Sequence, residues 1–311
     1  MREVVEVFES RAGGRPAHRV LGMTRRQLWT LAGLVGAGAV GLACTEAQIE
    51  ELFEQIRNRP VRREINSLPP DHPVIASYAS AIEAMQELPE SDLRNWNRQA
   101  QIHDASCRHH NWLFLPWHRA YLFHFEQICR ELSGDDGFAL PYWNWTANRQ
   151  IPAVFWDTSS PLYHANRVAD QDSEAAEAAV DQNVVNNALA PTNFILFAGQ
   201  AVGLNHPPNF GPGMGPLESG PHNYIHNFVG GTMASFVSPG DPVFWLHHAR
   251  IDELWVRWNL LDEKPNTNHT DWTNTEFTEF CDRAGNPTSV QVSLTTVYPL
   301  LSYRYDTQGV V

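Results

Sequence analysis

Two groups of histidines, more than a hundred residues apart, are the side chains of this sequence best suited to chemistry. The first group lies in residues 103–118 and the second in residues 222–248. Each group can offer three imidazoles to one metal ion, and neither places a carboxylate at an obvious ligand position. Neutral nitrogen donors in threes suit copper, which can then change its oxidation state without a fixed anionic cage. Two such sites that faced each other could bind dioxygen between them.

The spacing within the second group indicates how two imidazoles could reach one metal ion. His222 and His226 are four residues apart, so a helix would place them on one face about one turn apart. His248 belongs to a later predicted helix that starts at Asp241-Pro242. A single pair at this spacing is weak evidence, because such pairs are more often structural. The presence of a second triad makes a metal centre the better interpretation.

The composition excludes several classes of protein. A chain of 311 residues suits one large catalytic domain better than two small ones. The net charge is −13 and no Lys/Arg-rich stripe lies beyond the N-terminus, so binding to nucleic acid phosphates is excluded. The four cysteines are too few and too scattered for a disulfide scaffold or a zinc ribbon. A single Cys129–Cys281 bridge stays open.

The N-terminal segment predicts export. Arg25 and Arg26 precede a Gly/Ala/Leu/Val run that ends near Ala43, which is too short and too rich in glycine for a stable membrane span. A twin-arginine pair in this position indicates a Tat-like leader over residues 1–44, with a catalytic domain over 45–311. The expected location is periplasmic or extracellular, with anchoring by an uncleaved leader as an alternative. An ordinary basic leader, or a true start at Met23, also stays open.

The apolar spacing predicts a mostly α fold. Helices are expected over residues 46–59, 71–88, 111–132 and 241–261, and a short strand or two between residues 288 and 305. Residues 157–190 are polar and are interpreted as a surface excursion. The expected architecture is a helical bundle whose facing helices carry the metal ligands of a dinuclear copper site, with long loops and a few short strands.

The residues that flank the histidines complete two long motifs. Residues 109–126 read HxxxxFLPWHRxxLxxxE, and residues 241–252 read DPxFWxxHxxxD. On both motifs the chain resembles the tyrosinase and polyphenol oxidase family of type-3 copper proteins. The similarity extends over roughly residues 61–305, and the PYWNW run at 141–145 is closer to the plant polyphenol oxidase branch. The predicted Tat-like leader, in contrast, is a feature of bacterial proteins.

The resemblance implies two copper ions, O2 as co-substrate and six histidine ligands. Those matched to the first copper are His103, His109 and His118, and those matched to the second are His222, His226 and His248. In this family the second histidine of the doublet is the ligand, so His247 is not included, and by the same register His110 is left as a neighbour. The remaining histidines are expected on the surface or in packing: His18, His72, His110, His124, His164, His206, His247 and His269.

The resemblance also implies roles for residues next to these ligands. Phe244 is expected to act as a wedge that restricts the ligand rings. Cys107 is expected to form a thioether bond to His109, the alternative being a buried thiol. Glu218 and Asn223 match positions that hold a water able to accept a phenol proton, and the alternative for Glu218 is an ordinary loop carboxylate.

Asp252 has two interpretations. It is either a hydrogen-bond acceptor for a ligand imidazole or the partner of Arg250 or Arg257 in an ion pair along the helix.

The implied activity is that of a tyrosinase or catechol oxidase. Such an enzyme uses O2 to oxidise o-diphenols to o-quinones, and the Glu218–Asn223 pair favours some hydroxylation of monophenols as well. An o-aminophenol oxidase on the same coppers is the alternative, followed by an O2-binding protein without catalysis. A dinuclear hydrolase would need bridging carboxylates, which are absent at ligand spacing. Small phenols are the expected substrates and a copper-delivery protein is a candidate partner, whereas the oligomeric state is not determined.

Overall fold

The structure is a computed structural model that describes Glu54, residues 56–204 and residues 206–308. It divides into two compact units, one of which is Pro60–Asp306 and the other of which contains the described residues at 54–59 and 307–308. In the second unit Arg57 forms an exposed ion pair with Glu54. The predicted leader over residues 1–44 and most of the predicted helix over 46–59 lie outside the described residues, so both stay predictions.

The Pro60–Asp306 unit is mostly helical, which confirms the predicted class. Its helices are α1 (Pro73–Glu87), α2 (Trp96–Ser106), α3 (Phe114–Ser133), α4 (Glu177–Val180), α5 (Gln182–Leu189), α6 (Phe194–Ala198), α7 (Asn223–Val229), α8 (Val243–Val256), α9 (Thr270–Asn274), α10 (Val292–Thr295) and α11 (Tyr298–Leu301). A π-helical turn, Glu218–His222, precedes α7, and a second one, Arg257–Leu261, extends α8. Within the described residues, no helix combines the length and the apolarity needed to cross a bilayer.

The strands of this unit are short and pair in twos. They are β1 (Val61–Arg62), β2 (Arg108–His109), β3 (Asn209–Phe210), β4 (Glu276–Cys281), β5 (Pro287–Gln291) and β6 (Arg304–Tyr305). Strands β1 and β6 pair in parallel, as do β2 and β3, whereas β4 and β5 form an antiparallel pair. The β2–β3 pair matters most for function, because it places a histidine-bearing segment beside the loop that leads to the second histidine group.

Local signals explain where the principal helices begin and end. Helix α1 has a proline at its start, and the ring of His72 accepts a hydrogen bond from the amide of Val74. Asn95 caps α2 by accepting from the amides of Asn97 and Arg98. Helix α3 ends at Gly134, whose φ of 70° lies in the left-handed region that glycine adopts at low cost. Both ends of the predicted 111–132 helix are therefore placed within three residues.

Helices α3 and α8 pack through aromatic side chains in the centre of the unit. The ring of Phe125 stacks on that of Trp245 with 3.4 Å between centroids and 9° between planes. Tyr121 lies 4.6 Å from the same tryptophan. Tyr78 of α1 donates its hydroxyl to the carbonyl of Pro242 at 2.8 Å. This packing fixes the distance between the two helices that carry His118 and His248.

A buried network of ions also joins α3 to α8. Asp252 accepts a hydrogen bond from Nε of Arg119 at 2.5 Å and from Nη1 of Arg62 at 3.2 Å. The hydroxyls of Tyr303 and Tyr305 each donate to the same carboxylate at 2.7 Å. Both interpretations of Asp252 from sequence were therefore wrong, since its partners are neither an imidazole nor a cation of its own helix.

One further expectation needs correction, and one alternative left open by the sequence is decided. Residues 157–190 are more than a surface excursion, because they contain α4 and α5 and bury the side chains of Val180, Val185 and Leu189. Cys129 and Cys281 are both buried thiols and do not form a disulfide bond.

Candidate metal centre

The six predicted histidines converge in one place. His103 comes from α2, His109 from β2, His118 from α3, His222 from the π-helical turn, His226 from α7 and His248 from α8. Five of these side chains are buried and His226 is half-buried. Because six separate elements contribute one ring each, the arrangement depends on the fold as a whole rather than on any single helix.

The rings form two trios that face each other. Within the first trio (His103, His109 and His118) the ring centroids are 5.1–5.4 Å apart. Within the second trio (His222, His226 and His248) they are 4.6–5.3 Å apart. Between the trios, His118 stacks on His248 at 4.5 Å with 16° between planes, and His109 lies 5.9 Å from His222. The two trios are therefore close enough to act on one small molecule.

Oxygen atoms orient five of the six rings through their Nδ1 atoms. Backbone carbonyls accept from three: Phe236 from His103 at 2.7 Å, Phe114 from His118 at 2.8 Å and Met233 from His226 at 2.6 Å. Side chains accept from two: Glu218 Oε1 from His109 at 3.1 Å and Asn223 Oδ1 from His222 at 2.9 Å. A carbonyl or carboxylate oxygen requires a proton on Nδ1, so the neutral form of a ring held in this way has its lone pair on Nε2.

In each trio, the Nε2 atoms of two rings lie close together. Those of His103 and His118 are 3.3 Å apart, and those of His226 and His248 are 3.1 Å apart. The Nε2 atoms of His109 and His222 are buried with no hydrogen-bond partner among the described residues. Two nitrogens that each lie about 2.0 Å from a tetrahedral metal ion are about 3.3 Å apart. The donor set therefore fits a metal ion in each trio, and imidazole ligands without carboxylates fit copper.

Burial keeps five of the six imidazoles neutral. It lowers the pKa of His103, His118, His222 and His248 well below the ordinary value, and the neighbouring imidazoles lower it further. Burial lowers the pKa of His226 to about 4. Metal binding requires the neutral form of histidine. The protein therefore presents its donors ready for binding at neutral pH.

These pKa shifts predict that the metal-free protein loses stability in mild acid. Below pH 6.5 the unfolded chain binds protons on these histidines, whereas the folded chain does not, so the free energy of unfolding falls as the pH falls. The slope is about 1.4 kcal/mol per pH unit for each such histidine, and for His226 it extends down to about pH 4. We expect urea unfolding to show a loss of more than about 2 kcal/mol between pH 7 and pH 5. A His226→Asn variant should show a shallower slope, and an unfolding free energy equal at the two pH values would contradict the argument.

Two neighbours of the trios lie where the sequence predicted. The buried ring of Phe244 is 4.1 Å from His248 and 5.3 Å from His103, so it limits the movement of one ring in each trio. Cys107 is buried, and its sulfur lies within 4.8 Å of ligand atoms of His103 and His109. Burial raises the pKa of the Cys107 thiol to about 12. The sulfur is thus protonated at neutral pH and is a poor thiolate ligand.

Glu218 and Asn223 each support one trio. Oε1 of Glu218 accepts from His109 and also from the backbone amide of His110 at 2.8 Å. Its Oε2 atom is buried and has no hydrogen-bond partner among the described residues. Asn223 uses its Oδ1 on His222 and donates from Nδ2 to the sulfur of Met214 at 3.3 Å. The predicted pair is therefore adjacent to both trios, and one carboxylate oxygen stays available.

Sequence reasoning gave too little weight to His247. It is fully buried, its ring stacks 5.4 Å from His222, and its nitrogens lie within 4.8 Å of ligand atoms of the second trio. The adjacent histidines at positions 247 and 248 were the signal in the sequence that His247 lies near the second trio. The carbonyls of Phe236 and Met233, which orient two of the rings, were also missed, because a backbone oxygen has no signature in the sequence.

Comparisons with known proteins agree with this geometry. The family model for the common central domain of tyrosinase matches residues 92–209 and 164–261. The chain is 34% identical over 257 residues to the latent form of the chloroplastic polyphenol oxidase of Prunus armeniaca, across 68% of this chain and 42% of that protein. It is 31% identical over 314 residues to the chloroplastic (+)-larreatricin hydroxylase of Larrea tridentata, across 86% of this chain and 53% of that protein.

Solved structures give the same result. Active aurone synthase, a polyphenol oxidase with a site called copper B, matches with a TM-score of 0.70 at 27% identity, across 80% of this chain and 86% of that one. The chain spans about half the length of the two curated relatives.

The comparisons contradict the predicted export by a Tat-like route. Both curated relatives are named as chloroplastic proteins, which points to plastid targeting rather than to bacterial export. The error has a physical origin. An arginine-rich, weakly apolar N-terminal segment satisfies the requirements of more than one targeting route, because transit peptides are also rich in arginine and poor in acidic residues. Residues 1–44 themselves lie outside the described residues.

Proposed function

The chain belongs to the plant branch of the tyrosinase and polyphenol oxidase family, and on that premise we propose that it is an oxidoreductase of the tyrosinase and catechol oxidase type. It would oxidise o-diphenols to o-quinones with dioxygen as the electron acceptor. The observation that carries the proposal is the pair of histidine trios that face each other, with Nε2 atoms close together in each trio.

Two copper ions are the cofactor that this donor set supports. His103, His109 and His118 would hold one ion, and His222, His226 and His248 the other. When bound, a copper pair supplies a binding site for dioxygen and accepts two electrons from a diphenol. No carboxylate lies among the six donors, so no ligand atom is itself an anion that would favour one oxidation state.

The chain's own residues position the donors and exclude water. The three carbonyls and two side chains that accept from Nδ1 keep the Nε2 lone pairs directed into the shared space. Such partners of ligand histidines raise ligand basicity and preserve ring orientation. Phe244 closes one side of the space and is fully buried. A diphenol would therefore enter a site whose ligand geometry exists before it arrives.

Hydroxylation of monophenols would need a proton acceptor as well. A phenol with a pKa near 10 is about three units short of ionising at neutral pH, which corresponds to roughly 4 kcal/mol. Glu218 is the proposed acceptor, through Oε2 and a water that Asn223 helps to place. A positioned base typically increases the reaction rate by a factor on the order of a hundred or more. The buried, unpartnered Oε2 supports this role, since its Oε1 is already engaged with His109.

The proposed thioether between Cys107 and His109 has a direct test. Forming it removes the thiol hydrogen and one ring hydrogen, with dioxygen as the acceptor of the two electrons and two protons, so the intact protein would be lighter by two hydrogens. Tryptic mass spectrometry would then find the two segments joined. The proximity of the sulfur to the His109 ligand atoms supports the bond.

The experiment that tests the proposed activity is oxygen uptake by copper-loaded protein with a panel of substrates. We expect catechol to be oxidised fastest, a monophenol such as tyramine to be oxidised more slowly, and the zinc-loaded protein to be inactive. Faster turnover of o-aminophenol than of catechol would favour the aminophenol oxidase alternative. Binding of dioxygen without turnover of any substrate would favour an oxygen-binding protein. Loading from copper salt alone, compared with loading in a cell extract, would reveal a copper-delivery partner.

A further inference from the structure

A row of aromatic side chains leads from the metal centre to the surface. Phe210 is 55% exposed and Phe236 is 36% exposed. Their rings meet edge to face with 5.5 Å between centroids and 72° between planes. Phe236 lies 6.2 Å from the ring of His109, and Phe210 lies 4.5 Å from the ring of His110. The four rings are therefore continuous, and the outer two are open to solvent.

The backbone on both sides of this row is tied to the metal ligands. In the β2–β3 pair, Phe210 is directly opposite His109, and the amide of Gly211 donates to the His109 carbonyl at 2.9 Å. His110 has a φ of 59°, a conformation that is uncommon for residues other than glycine and that recurs at functional sites. The carbonyl of Phe236 is the acceptor that orients His103. Backbone hydrogen bonds thus connect the segments that carry Phe210 and Phe236 to the histidine trios.

Exposed apolar side chains that occur singly need no explanation, but a contiguous apolar surface at the mouth of a site is typical of ligand recognition. Aromatic rings contact each other favourably when their centroids are about 4.5–7 Å apart. A ring placed against Phe210 and Phe236 would lie just beyond a phenol that reaches the trios, so a short linker could join the two.

We propose that Phe210 and Phe236 bind the second, apolar ring of a phenolic substrate that has two rings joined by a short linker. The substrate class would then be two-ring diphenols, preferred over single-ring catechols. This inference rests on the proposed function, because it assigns the reacting ring to the histidine trios.

The test compares kcat/KM for 4-benzylcatechol and for catechol on copper-loaded protein. We expect the wild type to prefer 4-benzylcatechol. In Phe210→Ala and in Phe236→Ala, the ratio of the two kcat/KM values should fall by roughly two- to tenfold, mainly through KM for the larger substrate. Leu196→Ala is the matched control, because Leu196 is a 68% exposed apolar side chain on α6 outside the row, and there the ratio should stay the same.

A binding measurement separates this inference from the proposed activity. The probes are 4-benzylresorcinol and resorcinol, whose 1,3-hydroxyls cannot yield an o-quinone by loss of electrons and protons alone. They are titrated by calorimetry into copper-loaded protein in the absence of dioxygen. If 4-benzylresorcinol binds more tightly than resorcinol, and Phe210→Ala loses this difference, the proposed binding role of the row is supported even if no catechol is oxidised. In that case only the proposed function fails. If catechol is oxidised but the ratio of the two kcat/KM values is unchanged in both variants, the binding role of Phe210 and Phe236 is overturned and the proposed function stands. An altered oligomeric state of Phe210→Ala with unchanged selectivity would also overturn it, since a protein surface would then be the occupant.

Discussion

Replacing His248 with asparagine is expected to reduce the copper content from about two ions per chain to about one and to lower catechol oxidation by at least about a thousandfold. His248 belongs to the second trio, and its Nε2 lies 3.1 Å from that of His226. Removing one of three donors leaves two, which bind copper weakly, and a single remaining ion cannot accept both electrons of a diphenol. Groups that act as a unit in this way lose most of their activity when any one member is removed.

The stability of the same variant distinguishes a metal ligand from a packing residue. In the metal-free protein the variant loses only the packing contacts of the buried imidazole, so the free energy of unfolding should fall as it does for other reductions of a buried side chain. The loss should be larger when copper is bound. In the copper-loaded protein the variant should be less stable than the wild type, because bound metal stabilises the folded state. A packing residue would instead show the same loss with and without metal.

The matched control is His269→Asn. His269 is exposed, lies outside both trios, and caps α9 by accepting from the amide of Asp271, a role that asparagine also performs well. This variant should retain about two copper ions and should turn over catechol within about twofold of the wild type. Metal content is measured by atomic absorption and turnover by oxygen uptake. Retention of two copper ions by His248→Asn, with turnover within tenfold, would contradict the assignment of the second trio.

The convergence of the six proposed ligands could be predicted because the information in the sequence is dense and local there. The motif that ends in Asp252 specifies residue types at several positions within one helix, so the register of His248 follows without knowledge of the fold. Helix α3 was also predictable, since apolar residues recur along it at helical spacing and Gly134 ends it. For these elements, local pattern and final structure agree.

Helix α2 could not be predicted in the same way. Its sequence, WNRQAQIHDAS, has few apolar residues, and its buried face includes Gln99 and His103. Hydrophobic periodicity detects a helix only when the buried side chains are apolar, and here the buried face carries His103, a proposed metal ligand. A polar face that is buried for function therefore looks like a solvated loop in the sequence.

Long-range partners were the second kind of failure. Asp252 was interpreted through its sequence neighbours, whereas Arg119 and Arg62 lie 133 and 190 residues away. Nothing in a single sequence reports which distant cation meets a given carboxylate. The same limit applies to the row of Phe210 and Phe236, whose members come from different loops and meet only in the folded chain.

Replacing Asp252 with asparagine is expected to lower the free energy of unfolding by about 3–5 kcal/mol. The carboxylate is buried with two guanidinium groups, those of Arg119 and Arg62, and an amide of the same shape cannot balance their charge. Burial alone would raise the pKa of the Asp252 carboxyl, but the two arginines hold it below the ordinary value, so the group is ionised at neutral pH. Glu126 still pairs with Arg62 in the variant, which leaves Arg119 as the unpaired cation.

The loss of this ion pair should also reach the metal centre. Arg119 directly follows His118, and Asp252 lies one turn beyond His248, so their bond joins the two helices at the point where the trios meet. We expect copper to bind about tenfold more weakly to Asp252→Asn, the lower end of the range for groups that support metal ligands indirectly.

The control for Asp252→Asn is Glu131→Gln, which removes an ion pair with Arg283 in which both side chains are 44% exposed. An exposed pair contributes at most about 1 kcal/mol, because water screens both charges. Urea unfolding of the metal-free proteins at pH 7 measures both variants on the same scale. If Asp252→Asn were no more destabilising than Glu131→Gln, the two guanidinium groups would not depend on this carboxylate, and the network would not be what holds α3 against α8.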